Sequence, residues 1–206
     1  NDELLDEFSS RDISGKVKLG LPSEFATTLM PRIIGKFARR YPDVTLEVSS
    51  ELSVALQKKY TGRKYDLVLA LHQNVDQNAE GFIKKEQLVW VTKNKSVDLE
   101  DGAISLIVAP DGCIYRNRAL SALKKAGIKN KIVYTIPDLN GIESAIREGL
   151  GITVLATSTV SESLVKITTN ALLPALDDIG ISLLLESDKA SEATLRLASY
   201  LQANLQ

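Results

Sequence analysis

The stretch IREGLGITVLATSTV, Ile146–Val160, sets Gly149 and Gly151 on either side of one leucine and runs on into β-forming residues. Glycines so placed can cradle a phosphate, or can end a helix and begin a strand. A dinucleotide fingerprint needs a strand, then Gly-x-Gly-x-x-Gly, then a helix. Here the order is reversed: the helical pattern Leu139–Glu148 comes first and the apolar run Ile152–Ala156 follows, with no third glycine at the required spacing. Gly149 therefore reads as a helix C-cap, where a positive φ costs little without a Cβ. Gly151 reads as the tight turn into the strand. The stretch is helix–turn–strand, one step of an alternating α/β fold.

The same alternation extends on both sides. KVKLGL (Lys16–Leu21) and VTLEVSS (Val44–Ser50) alternate as strands, and YDLVLAL (Tyr65–Leu71) is apolar enough for a strand buried on both faces. Between the first two, Phe25, Leu29, Met30, Ile33, Ile34, Phe37 and Tyr41 recur at helical spacing, with Pro31 predicting a kink or a late helix start. A short helix is expected from Ser53 to Tyr60. Downstream, FIKKEQLVWVTKN (Phe82–Asn94) reads as one long extended stretch. A second β-α-β-α-β set follows from AISLIVAP (Ala103–Pro110) to GITVLA (Gly151–Ala156). A short strand at Val165–Ile167, a last strand at Ile179–Ser187 and a final helix at Ala190–Leu205 close the chain. Such alternation predicts an open, mainly parallel sheet.

The 206 residues are 44% hydrophobic, enough for one large core or two small ones. The formal net charge is −1, so the chain carries no cationic field with which to grip nucleic acid by itself. One cysteine (Cys113) excludes an internal disulfide, and one histidine (His72) beside it leaves no ligand set for a Cys/His zinc site. No cofactor or metal is expected. A thiol-retaining cytoplasmic setting is the default reading. No apolar run reaches membrane-spanning length, and the acidic start NDELLDEFSS is not a signal peptide. The only methionine is Met30, so a removed signal peptide or an upstream domain is expected.

Four segments, in order, carry a family resemblance. IPDLNGIESAIREGLGITVLATSTV resembles the helix–turn–strand segment of the effector-binding domain of LysR-type transcriptional regulators. SGKVKLGLPSEFATTLMPRIIGKFARRYPDVTLEVSSE, GRKYDLVLAL and APDGCIYRNRALSALKKAGI are similar to that family's opening strand and helix, its third strand and its second-lobe helix. Ala156 departs from the proline usual after the Gly-x-Gly strand. The resemblance spans about Gly15 to Leu205. It implies an α/β fold of two Rossmann-like lobes with a cleft, like type 2 periplasmic binding proteins. Residues 15–92 with 179–206 would form lobe I and 93–178 lobe II, with the crossings near Lys93 and Asp178 as hinge. Residues 1–14 would be the remnant of a linker helix, and an N-terminal winged helix-turn-helix would supply DNA binding. The implied protein is a cytoplasmic homodimer or homotetramer that senses a small molecule and is not an enzyme. The apolar side of Phe25–Tyr41, or of Ile142–Ile146, reads either as the isologous surface or simply as lobe core. A periplasmic solute-binding protein of a transport system is the alternative with the same fold.

Ligands of open α/β sheets settle outside the carboxyl ends of the strands. This rule selects Pro22, Ser23 and Glu24 after the first strand; Ser50, Glu51 and Ser53 after the second; and Leu71 and His72 at the end of the third. In the second half it selects Cys113, Ile114 and Tyr115, and then Asp138 and Asn140. Helix N-termini at such ends attract anions, so an effector with a carboxylate or a similar acceptor is expected. Ser23 reads both as a helix cap and as a donor to the effector. Glu24 and Glu51 would repel an anion, so either they point away or the effector is not simply anionic. Cys113 reads as a redox-sensitive thiol or, lacking a second cysteine, as a small pocket-lining residue. His72 reads as an effector partner, a pH-sensitive group or a loop residue satisfied by backbone. Arg116, in a first helical turn, calls for a carboxylate partner or an anion. One histidine and no Gly-x-Ser-x-Gly elbow leave catalysis without support.

Overall fold

The computed structural model describes residues 13–94, 97, 99–167, 172–185 and 187–205. The expected linker remnant therefore lies almost wholly outside the described residues; Ile13 is buried and leads into the first strand. The chain divides into two compact units. The first comprises 1–71, 76–84 and 181–206, and the second 72–75 and 85–180.

In the first unit β1 (Gly15–Leu21), β2 (Val44–Ser50) and β3 (Leu67–His72) lie in a five-stranded sheet with β4 (Phe82–Glu86) and β10 (Ile179–Leu184), in the order β2-β1-β3-β10-β4. Both β2 and β3 run parallel to β1. Leu67 to Ala70 are fully buried, as the unbroken apolar run predicts. The helical pattern after β1 splits into α1 (Ser23–Thr27) and α2 (Met30–Arg40). Thr28 ends α1 by donating both its N–H and its Oγ1–H to Glu24 O. Pro31 sits in the first turn of α2, where its missing N–H costs nothing; the proline marks a late helix start. Phe37 of α2 packs on Tyr41 and, at 5.4 Å between ring centroids, on Tyr200 of the final helix. Leu56 of α3 (Ser53–Thr61) joins Tyr65, Val68 and Ala70 in a core cluster.

The second unit is built on β5 (Leu88–Thr92), which pairs antiparallel with β8 (Thr153–Ala156) and β9 (Val165–Ile167). The extended stretch 82–94 is thus two strands, not one. Because β5 is bonded to β8 and β9, it belongs to the second unit, and the expected boundary at Lys93 moves to Lys84–Lys85. The other crossings fall at 71–72, 75–76 and 180–181. β6 (Ile104–Val108) and β7 (Asn130–Thr135) form a separate parallel pair. α4 (Ile114–Lys125) and α5 (Leu139–Arg147) provide the helical connections, and α6 (Glu192–Leu205) returns to the first unit. Ile142 and Ile146 are buried, and so are Phe25 and Phe37. These side chains pack inside their own units, while Leu29, Ile33 and Ile34 of the first stripe stay half-buried.

Gly149 lies at φ +79, one residue beyond the C-cap of α5; its N–H donates to Ile146 O, and Leu150 N–H donates to Ala145 O. This is the expected helix stop. Gly151 does more than turn. Ile152 N–H donates to Ser105 O and Ile107 N–H to Ile152 O, each at 2.9 Å, so the chain is laid directly on β6 at this point. A Cβ on Gly151 would overlap Ser105 O and stand 2.8 Å from its carbonyl carbon. Gly151→Ala is therefore expected to lower stability by about 1–3 kcal/mol, the range for forced overpacking. Urea melts of the two proteins would check this, and an unchanged midpoint would refute the close-approach role.

Candidate functional site

Parallel register gathers strand ends. Leu21 lies opposite Ser50 and Gly20 opposite Val68, so β1, β2 and β3 finish along one edge. Glu51 N–H donates to Leu21 O at 3.1 Å, tying two of these ends together. Pro22–Ser23, Ser50–Glu51 and Leu71–His72 all emerge there, and α1 and α3 begin from it.

Ser23 is the first residue of α1 and not its cap. The cap position belongs to Pro22, which has no side-chain acceptor. Ser53 likewise opens α3, and its Oγ accepts from Leu71 N–H at 3.2 Å. Gln57, one turn on, donates from Nε2 to Leu71 O at 3.2 Å. Both backbone groups of Leu71 are therefore taken by α3, and the buried Leu71 and Ser53 serve to seat that helix on β3. Gln57 was missed in the sequence because its role depends on a contact with another element. Glu51 is gripped by Lys59 and accepts from Tyr65 Oη–H at 2.6 Å. The Lys59 hydrogen bond, then that of Tyr65, holds the Glu51 carboxyl below its ordinary value. Its charge is matched inside the unit, so it does not repel an anion as a bare carboxylate would. Glu24 is buried, and Ser50 is exposed.

The second unit has an edge of its own. Val108 lies opposite Thr135, and Ile136 N–H donates to Val108 O at 3.1 Å, so β6 and β7 also finish together. Cys113 occupies the cap position of α4, and Cys113, Ile114 and Tyr115 are all buried. Asp138 caps α5 by accepting from Gly141 N–H at 2.8 Å. Asn140 is exposed beside it. Arg116 finds the carboxylate its position calls for: Nη2 lies 2.8 Å from Asp111 Oδ1, and Nη1 donates to Ala109 O.

His72 ends β3, half-buried, and its Nε2 is buried without a hydrogen-bond partner among the described residues. Among the described residues no group of three His, Cys, Asp or Glu side chains could hold a metal ion. No helix of the described residues is long and apolar enough to cross a membrane. A cavity of about 640 Å³ does open in the second unit, but between Lys93, Glu100, Ser105, Lys131 and the Gly149–Gly151 turn. It is lined by none of the strand-end residues.

The LysR substrate binding domain family matches residues 10–206. Among curated proteins, the chain is 22% identical to the HTH-type transcriptional regulator DgdR of Burkholderia cepacia, covering 100% of this chain and 69% of that protein. It is 27% identical to the HTH-type transcriptional regulator PecT of Dickeya dadantii, covering 98% of this chain and 64% of that protein. It thus spans roughly two thirds of the length of these relatives. Among solved structures, the regulatory domain of CcmR from Synechocystis, in complex with 2-PG, superposes with a TM-score of 0.70 at 16% identity, covering 92% of this chain and 97% of that one.

The His72 environment yields a pH test. Burial lowers its imidazole from the ordinary 6.5. As pH falls below about 6.5 the unfolded chain takes up this proton while the folded chain resists it. Stability is therefore complete above that value and declines as pH falls toward the lower folded value. The lowered Glu51 carboxyl adds a separate loss only below its ordinary 4.5. Between pH 7 and 5 the thermal midpoint should fall more steeply in the wild type than in His72→Gln. Parallel slopes would show that His72 does not set this dependence.

Proposed function

Because the chain belongs to the LysR substrate binding domain family, we propose that it is the effector-sensing part of a DNA-binding transcriptional regulator. The family match over residues 10–206 carries the reading. The fold is type 2 periplasmic-binding-protein-like, and its two units take the roles of the two regulatory lobes. The effector is a small molecule with a carboxylate or a similar acceptor, met by strand-end residues such as Ser23 and Ser50 of the first unit. Neutralisation of Glu51 by Lys59 supports an anionic ligand at the first edge. DNA binding belongs to a winged helix-turn-helix outside this chain, and the whole protein acts in the cytoplasm as a homodimer or homotetramer. To transmit a signal, the effector must favour one arrangement of the regulator over another.

Catalysis forms no part of this reading. The one imidazole, His72, has no hydrogen-bonded serine or carboxylate at Nε2 among the described residues. A transport solute-binding protein would share the fold, but the curated relatives are named as regulators.

A thermal-shift screen of small carboxylates and hydroxy acids tests the proposal. A ligand at 100 times its Kd adds about 2.7 kcal/mol of stability, on the order of 5–10 °C for a chain of this size. Ser23→Trp should fold and lose that shift. No hit across the panel, or an unaltered hit with Ser23→Trp, would remove the strand-end site from the proposal.

A further inference from the structure

Arg118 projects from α4 with only 13% of its side chain exposed. Nη2 donates to Gln73 O, 45 residues away in sequence, and to Asp178 O, 60 residues away, at 3.1 Å. Nη1 lies 3.2 Å from the Asp177 carboxylate. Nε is buried with no acceptor among the described residues. A buried cation with an unmet donor is costly, so its other contacts must be explained by what they hold.

They hold the crossings of the chain. Gln73 belongs to the 72–75 excursion between two crossings, and Asp178 lies just before the crossing at 180–181. These stretches run close together: a Cβ on Gly180 would stand 3.1 Å from Asn74 O. The Asp178 carboxylate in turn meets Lys85 Nζ at 3.3 Å, directly after the crossing at 84–85. One guanidinium thus grips two crossing stretches by backbone carbonyls, and through Asp178 reaches the third. Lysine could not substitute, because a point charge lacks the planar fork that serves several acceptors at once.

We infer that Arg118 is a positioning residue that fixes the stretches through which the chain passes between its two units. The clasp resides in the two carbonyl bonds, with the 74%-exposed Asp177 carboxylate secondary. This inference is independent of the identity of any effector.

Hydrogen exchange read by mass spectrometry on the 206-residue chain tests it. In Arg118→Met, peptides covering 72–76 and 178–181 should exchange at least ten-fold faster, while α5 and β8 keep wild-type protection. Arg118→Lys should accelerate the same two peptides by less, and Asp177→Asn should leave them unchanged. Wild-type protection at both stretches in Arg118→Met would overturn the inference, as would a uniform acceleration across residues 85–180. Should Arg118→Met fail to fold, the lysine variant decides: acceleration confined to the two stretches supports the clasp, and wild-type or uniform exchange refutes it.

Discussion

The second unit depends on one backbone contact, the approach of Gly151–Ile152 to Ser105 on β6. Two hydrogen bonds fix it, and only a residue without a Cβ can stand there. The contact follows the helix stop at Gly149, aligns Ile152 parallel to Leu106 and releases the chain as β8 toward β5. A parallel pair on one side and an antiparallel sheet on the other are joined at this point. The glycine pair that looks like a phosphate loop is therefore spent on a helix stop at Gly149 and a close backbone approach at Gly151.

Parallel pairing has a second consequence. Strands that run in one direction and in register finish together, and those that hand over to a helix leave its first N–H groups without intrahelical partners. Two such edges follow, one at Leu21, Ser50 and His72, the other at Val108 and Thr135. Polar side chains at these edges serve competing ends. Ser53 and Asp138 are engaged in seating helices, while Ser50 and Asn140 stay exposed.

Periodicity made most of the elements legible, since each is written in contiguous residues. Val44–Ser50 and Val165–Ile167 match their expected ranges, and Pro31 forecast the late start of α2. The strand-end rule located the edges but not the state of each side chain on them. Ser23 looked like a cap because serine often caps; the turn at Pro22 places it one residue inside the helix. Gln57, Tyr65 and Arg118 gave no local signal, because their partners lie 14, 14 and up to 60 residues away. Arg116 was legible, because its partner Asp111 is five positions before it and its place in the first turn demanded one.

In the sheet order β2-β1-β3-β10-β4, β10 is an interior strand, although it follows β4 by some ninety residues. Until it emerges β3 and β4 have no neighbour between them, and their facing edges are open to wrong pairing. The second unit, by contrast, is complete in sequence once residue 180 has emerged. Biosynthesis thus delivers the later unit first, and the earlier one waits for its own tail. Such long-range closure slows folding and leaves the facing edges of β3 and β4 open until β10 arrives.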